Sequence, residues 1–324
     1  MGGTVKDTTG NLTWNVTEML NRRMTMEDSF VFRSSLPSHR NLFLAAVMDG
    51  HCGRGIARLL AECLVSKVDA LDDPMSKDQL RTLLVDLDAQ VLADPQLRME
   101  GCCAVLVVCN AHSGHLLVAN TGDCRAAVLS TKRVGDRPAG LVYLTADHKH
   151  TDAVERARVI AAGFGVAGPY VTHPVTDDGI AVTRAFGDAM FKDRSDLRAH
   201  EQAVVAEPSF TETCITRDET LLLMSDGAPI VFKRDPELER CTDADQLHAR
   251  IARTPGLDDN LTLLSITCHA IPDGAPSPRG SAKRARVGYV YARKTKCDEP
   301  KWLDLSEDDL DVEAGRIGTL LRKL

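Results

Sequence analysis

Phe43-Leu44-Ala45-Ala46-Val47-Met48 runs without a polar residue and stops at Asp49-Gly50-His51. An apolar stretch closed by an acidic dipeptide reads as a strand that ends in a turn carrying a carboxylate. Just beyond it, Ile56, Leu59, Leu60, Cys63 and Leu64 recur at steps of three and four from Gly55 onward, one face of an amphipathic helix. Leu80, Leu83, Leu84, Leu87 and Val91 mark the buried side of a second helix over about 77–92. Residues 104–109 and 115–119 are short apolar runs joined by Asn110-Ala111-His112-Ser113-Gly114, a hairpin signal, and 126–130 reads as the next strand of an antiparallel meander. Residues 151–162 are expected to be helical, with Asp152 and Glu155 at the positive end of the helix dipole and Gly163 at its stop. The near-continuous apolar runs 220–224 and 261–268 read as central strands. The pattern predicts two antiparallel layers with helices in an α+β arrangement.

Composition excludes several classes. With 44% hydrophobic and 26% charged residues the chain is that of a globular protein, and 4% aromatic points to an aliphatic core. A net charge of −7 argues against nucleic acid binding over the body, which leaves only a local basic segment for such a partner. The ten cysteines are scattered, several within apolar runs, and read as reduced core residues. No apolar run reaches membrane-spanning length and none at the N-terminus resembles a signal peptide, so the expected location is cytoplasmic, nuclear or both. After Ala270, Ile271-Pro272-Asp273-Gly274-Ala275-Pro276-Ser277-Pro278 is turn-rich, which sets a tail at 271–324 apart from the body.

Four acidic positions share one setting. Glu27-Asp28, Asp49-Gly50, Asp226-Gly227 and Asp258-Asp259-Asn260 each lie beside a strand-like run. Carboxylates gathered at one sheet edge repel unless a cation neutralises them, and hard divalent ions with oxygen ligands do so most readily. Taken singly, each Asp-Gly is also an ordinary turn dipeptide.

Their order and surroundings carry more weight. Arg23-Met24-Thr25-Met26-Glu27-Asp28, Val47-Met48-Asp49-Gly50-His51-Cys52-Gly53 and Thr121-Gly122-Asp123-Cys124-Arg125 are followed by Leu144-Thr145-Ala146-Asp147-His148-Lys149. Val182-Thr183-Arg184-Ala185-Phe186-Gly187-Asp188, Ser225-Asp226-Gly227 and Asp259-Asn260 come next. This succession, over about 13–270, resembles the signatures of the 2C-type, metal-dependent serine/threonine phosphatases, which implies a catalytic body at 13–270 preceded by an N-terminal arm at 1–12. The resemblance implies a four-layer α-β-β-α sandwich with two central antiparallel sheets flanked by helices. It further implies two Mg²⁺ or Mn²⁺ ions, with Asp49 bridging, Asp226 and Asp259 completing one site, and Glu27 with the Gly50 carbonyl contributing to the other. Asp28 would stand behind these ligands. The nucleophile would be a hydroxide between the ions, and the substrate a phosphoprotein.

By its planar fork Arg23 is a candidate phosphate clamp, the alternative being a surface ion pair. His51 is a candidate general acid, the alternative being a helix cap. His148 is expected to make a structural hydrogen bond. Where the family usually has a second aspartate, Asp226-Gly227-Ala228-Pro229 leads to Ile230, so a third ion shared with Asp123 should bind poorly or not at all. The stretch 226–259 is short, with room for little more than one helix around Leu247 and Ile251. These departures, with the tail, leave a second reading: a catalytically weak or inactive member acting as a scaffold or regulatory subunit. In the tail, Lys283-Arg284-Ala285-Arg286 and Arg293-Lys294-Thr295-Lys296 resemble a bipartite import signal, and Trp302, Leu303, Leu305 and Leu310 among acids look like a docking peptide. Either an import receptor or a protein partner would suit it.

Overall fold

The computed structural model describes residues 2–9, 11–176, 178–241, 243–254 and 256–271. The import-like and docking segments expected beyond 271 lie outside the described residues.

In chain order the strands Gly2–Thr9 (β1), Leu12–Met19 (β2), Ser29–Arg33 (β3) and Leu42–His51 (β4) precede the helices Gly55–Asp69 (α1) and Lys77–Ala93 (α2). Gly101–Asn110 (β5), His115–Thr121 (β6), Arg125–Ser130 (β7) and Gly140–Tyr143 (β8) follow, then the helix Ala153–Ala161 (α3). Short strands come next: Gly165–Ala167 (β9), Tyr170–Thr172 (β10), Gly179–Ile180 (β11) and Phe186–Gly187 (β12). Ser209–Cys214 (β13), Glu219–Met224 (β14), the helices Gly227–Arg234 (α4) and Ala244–Ala252 (α5), and Leu261–Cys268 (β15) complete the order.

One six-stranded sheet runs β1-β2-β15-β14-β7-β8, and a second runs β13-β6-β5-β4-β3 with β12 paired to β5. All the pairings within both sheets are antiparallel. Successive side chains of a strand point to opposite faces, and the continuous apolar runs are explained by a separate core on each face. In β4, Phe43, Ala45 and Val47 enter the core between the sheets, while Leu42, Leu44, Ala46 and Met48 enter a core under α1 and α2. In β14, Leu221 and Leu223 join the same inter-sheet core, while Leu222 and Met224 face a third core with Val231, Phe232, Leu247 and Ile251 of α4 and α5. Three cores in succession define four layers, helix, sheet, sheet, helix, as the resemblance implied.

Three local differences from the sequence reading stand out. The expected N-terminal arm is the edge strand β1, in register with β2 from Gly2 opposite Met19 to Thr9 opposite Leu12. Ile271, expected just outside the body, is buried in the inter-sheet core at 1% exposure. The stretch 226–259 holds two helices and a 3₁₀ turn at Pro236–Arg240, where little more than one helix was expected. Asp226-Gly227 taken singly is an ordinary turn dipeptide, yet Gly227-Ala228-Pro229 form the first turn of α4, where backbone N–H groups have no intrahelical acceptor and proline costs nothing.

Candidate metal centre

The acidic residues converge because both sheets end at the same place. Asp49 is near the end of β4 and continues the set of its residues that face the inter-sheet core. Asp123 follows β6, Asp226 follows β14 as the N-cap residue of α4, Glu27 and Asp28 precede β3, and Asp259 precedes β15. One carboxylate oxygen from each of Asp49, Asp123 and Asp226 lies within 4.8 Å of the other two. The Asp226 N–H points to Asp49 Oδ2 at 3.4 Å.

Glu27 and Asp259 border this triad without belonging to it. Buried Asn260 fixes both: its Oδ1 accepts from Glu27 N–H at 2.9 Å and its own backbone N–H donates to Asp259 Oδ1 at 2.8 Å. A Cβ at position 50 would stand 2.7 Å from the Glu27 carbonyl oxygen, so glycine is what lets the two segments approach. Asp28 is buried behind them, accepting from Ser225 Oγ at 2.8 Å, and that hydroxyl in turn accepts from Thr262 N–H at 2.9 Å. Opposite the triad, Lys149 Nζ lies 2.9 Å from Asp123 Oδ2.

Crowding shows in the proton affinities. Burial first, then the charges of Asp123 and Asp259, push Asp226 up to about 7, against some relief from Lys149. Burial and then neighbouring Asp28 and Asp226 hold Asp49 well above the usual carboxylate range. Asp28 is raised to about 6, chiefly by burial. Anionic oxygens packed this closely and short of positive charge fit a hard divalent cation, and Mg²⁺ and Mn²⁺ favour this all-oxygen donor set.

Arg23 is about half exposed, and its fork is engaged by the protein: Nη2 lies 2.9 Å from Asp259 Oδ1, and Nε donates to the Asp258 carbonyl at 3.0 Å. His51 caps no helix. The first N–H groups of α1 are taken by Glu100, whose Oε2 accepts from Gly55 at 2.5 Å and Ile56 at 3.3 Å. His51 Nε2 instead lies 3.0 Å from both carboxylate oxygens of Asp188. Burial opposes the charged imidazolium, but Asp188 by hydrogen bond and charge, with Asp123 and Glu27, outweighs it and raises the His51 pKa. His148 makes the structural bond expected of it, accepting from Gly122 N–H at 3.1 Å, and burial lowers its pKa to about 4. That bond holds the turn from which Asp123 projects. Cys102, Cys103 and Cys124 are buried, and burial pushes each thiol up, away from reactive thiolate.

Sequence reasoning assigned no role to Asp188, Glu100 or Lys149. Asp188 and Lys149 each close a motif that was read, but their partners lie 137 and 26 residues away.

The chain is similar to known proteins over most of its length. The family model described as protein phosphatase 2C matches residues 13–228. Probable protein phosphatase 2C 42 of Oryza sativa subsp. japonica is 26% identical over 325 residues, covering 85% of this chain and 89% of that protein. Probable protein phosphatase 2C T23F11.1 of Caenorhabditis elegans is 30% identical over 210 residues, covering 63% of this chain but only 55% of its own length. Among solved structures, a phosphatase from a pathogenic strain of Toxoplasma gondii superposes with a TM-score of 0.66 at 20% identity, over 86% of this chain and 98% of that one, a likeness of fold. No described helix is long and apolar enough to cross a membrane. With the family model spanning well over half of the sequence, the chain belongs to the protein phosphatase 2C family of serine/threonine phosphatases.

Proposed function

We propose that this chain hydrolyses phosphoseryl and phosphothreonyl groups of proteins with two Mg²⁺ or Mn²⁺ ions at the carboxylate cluster. The observation that carries the reading is the meeting of Asp49, Asp123 and Asp226 within 4.8 Å. Asp49, Asp226 and Asp259, with Glu27 and the Gly50 carbonyl, would hold the ions. When bound, such ions polarise phosphoryl oxygens and lower the pKa of water.

The remaining work falls to the chain's own side chains. Arg23, at the rim, offers its Nη1 N–H groups to the phosphoryl oxygens while Nη2 and Nε stay on Asp259 and the Asp258 carbonyl. His51 gives a proton to the departing seryl or threonyl oxygen, a transfer that alkoxide leaving groups need. Asp28 backs the ligands through Ser225. A count of two ions is supported by Ile230, which packs against the apolar core under α4, and by the Lys149 ammonium, which already neutralises Asp123.

The test is hydrolysis of a phosphoserine peptide titrated with Mn²⁺, alongside calorimetric ion binding, for wild type and Asp226→Ala. Loss of both turnover and one ion in the variant supports the reading. A wild-type protein that binds no ion and turns over nothing at millimolar Mn²⁺ favours the scaffold or regulatory reading instead. Nuclear import and partner docking are proposed for 271–324, and a reporter fused to that segment that stays evenly distributed in cells removes the import proposal.

A further inference from the structure

Gly101 is flanked by two strands at once, opposite His51 of β4 on one side and Gly187 of β12 on the other. The next residue, Asp188, has a left-handed backbone with φ 54° and ψ 48°, a conformation uncommon for residues other than glycine. Several contacts hold it there. Asp188 N–H donates to the Glu100 carbonyl at 2.8 Å, and Gly187 N–H donates to Asp88 Oδ1 at 2.7 Å. Asp88 is itself neutralised by Lys192, whose Nζ lies 2.8 Å from both its oxygens. The same Glu100 binds the start of α1 through its carboxylate. The turn is therefore tied to α1 by Glu100 and to α2 by Asp88.

What this framework delivers is a carboxylate only 6% exposed, set against one ring nitrogen. Burying an acid is costly unless a partner compensates, so the arrangement is not a by-product of core packing. Nε2 of His51 is committed to Asp188, and among the described residues no protein group bonds Nδ1.

We propose that Asp188 is a positioning residue: it fixes the His51 ring so that Nδ1, not Nε2, faces the leaving oxygen of the phosphorylated side chain. The inference rests on the hydrolase reading above. In the step, the oxygen of a water that has already released one proton to bulk solvent forms the new bond to phosphorus while the bond from phosphorus to the seryl or threonyl oxygen breaks. The electron pair of that bond stays on the leaving oxygen, which takes the Nδ1 proton. His51 is left neutral with its remaining proton on Nε2, still bonded to Asp188.

Two substrates separate this role from a structural one. The leaving group of p-nitrophenyl phosphate needs no proton, whereas that of a phosphoserine peptide does. Asp188→Ala should lower kcat on the peptide about 100-fold and on the aryl ester less than about threefold, with Mn²⁺ affinity by calorimetry unchanged. His51→Gln should give the same pattern, and the double variant should be no worse than His51→Gln alone. Asp188→Asn, which keeps an acceptor for Nε2–H, should fall between. Equal losses on both substrates, or multiplicative losses in the double variant, overturn the proposal. Independently of turnover, ¹⁵N NMR of the metal-free protein, with His51 assigned by its loss in His51→Gln, should find the neutral ring protonated on Nε2 in wild type and no longer held so in Asp188→Ala. A wild-type Nδ1–H tautomer overturns it too. A wild-type protein inert toward both substrates overturns the hydrolase reading and the proton delivery with it, while the tautomer still reports whether Asp188 holds the ring.

Discussion

Gly101 and His51 face each other across β5 and β4, and Nε2 of His51 occupies the space that a Cβ at position 101 would need, with both Asp188 oxygens crowding the same point. A methyl group there cannot be accommodated without moving the ring. Gly101→Ala should therefore cost about 10- to 100-fold in kcat on a phosphoserine peptide, since displacements near 1 Å are enough for such losses. Mn²⁺ binding should persist, because the atoms nearest that position belong to His51 and Asp188 and not to Glu27, Asp49, Asp226 or Asp259. Parallel kinetics and calorimetry check this, and unchanged peptide turnover would contradict it.

The metal-free protein should become less stable as pH rises. Asp226 is raised to about 7 from an ordinary 3.8, and Asp49 is also raised. A carboxyl whose folded pKa exceeds its unfolded value binds more protons when folded. Its contribution is complete below about pH 4 and is lost as pH climbs through about 7. Thermal melts from about pH 5 to about pH 8 should show a falling Tm without metal, and Asp226→Asn should flatten that fall. Saturating Mn²⁺ should remove or reverse the slope, because ions bind the deprotonated ligands.

Lys149 brings a positive charge to 2.9 Å from Asp123, inside the field of the cluster. Replacing it with methionine should tighten Mn²⁺ binding about tenfold, equivalent to about 1.4 kcal/mol, and lower the Tm of the metal-free protein. An additional weakly bound ion should become measurable. Calorimetry that gives the wild-type affinity and ion count in Lys149→Met would show that the ammonium exerts no such control.

Leu44 is fully buried on the helix-facing side of β4. Leu44→Ala should cost about 2–5 kcal/mol of stability through lost burial and the cavity left behind. Urea unfolding measures this. Because the inward-facing residues of the same strand are untouched, the ion affinity of the folded variant should stay at the wild-type value.

Most of the strands and helices were legible from local pattern, and the acidic set from its order along the chain. What was not legible depended on partners distant in sequence or on ambiguous punctuation. Gly227-Ala228-Pro229 carries turn residues that serve equally as a helix start, so α4 was missed. The stretch 1–12 lacks apolar alternation, yet its backbone pairs along the edge of β2. His51 and Asp188 are 137 residues apart, and nothing near either residue announces the contact. The sequence offers Arg23 as a candidate phosphate clamp or a surface ion pair without naming the pair's partner, and the fold supplies it in Asp259 and the Asp258 carbonyl, a contact between the two ends of the folded body.

The two-sided packing of β4 also sets where length can vary. A residue added between Phe43 and Val47 would invert the faces of those after it, sending Val47 toward the helices and turning Asp49 away from Asp226. No such alternation constrains the loops that join the outer helices to the sheets. Lineages can therefore lengthen or trim a segment such as 226–259 while the spacing from Leu42 to Asp49 stays inflexible. An alignment anchored on that spacing will register distant homologues more reliably than one anchored on the helices.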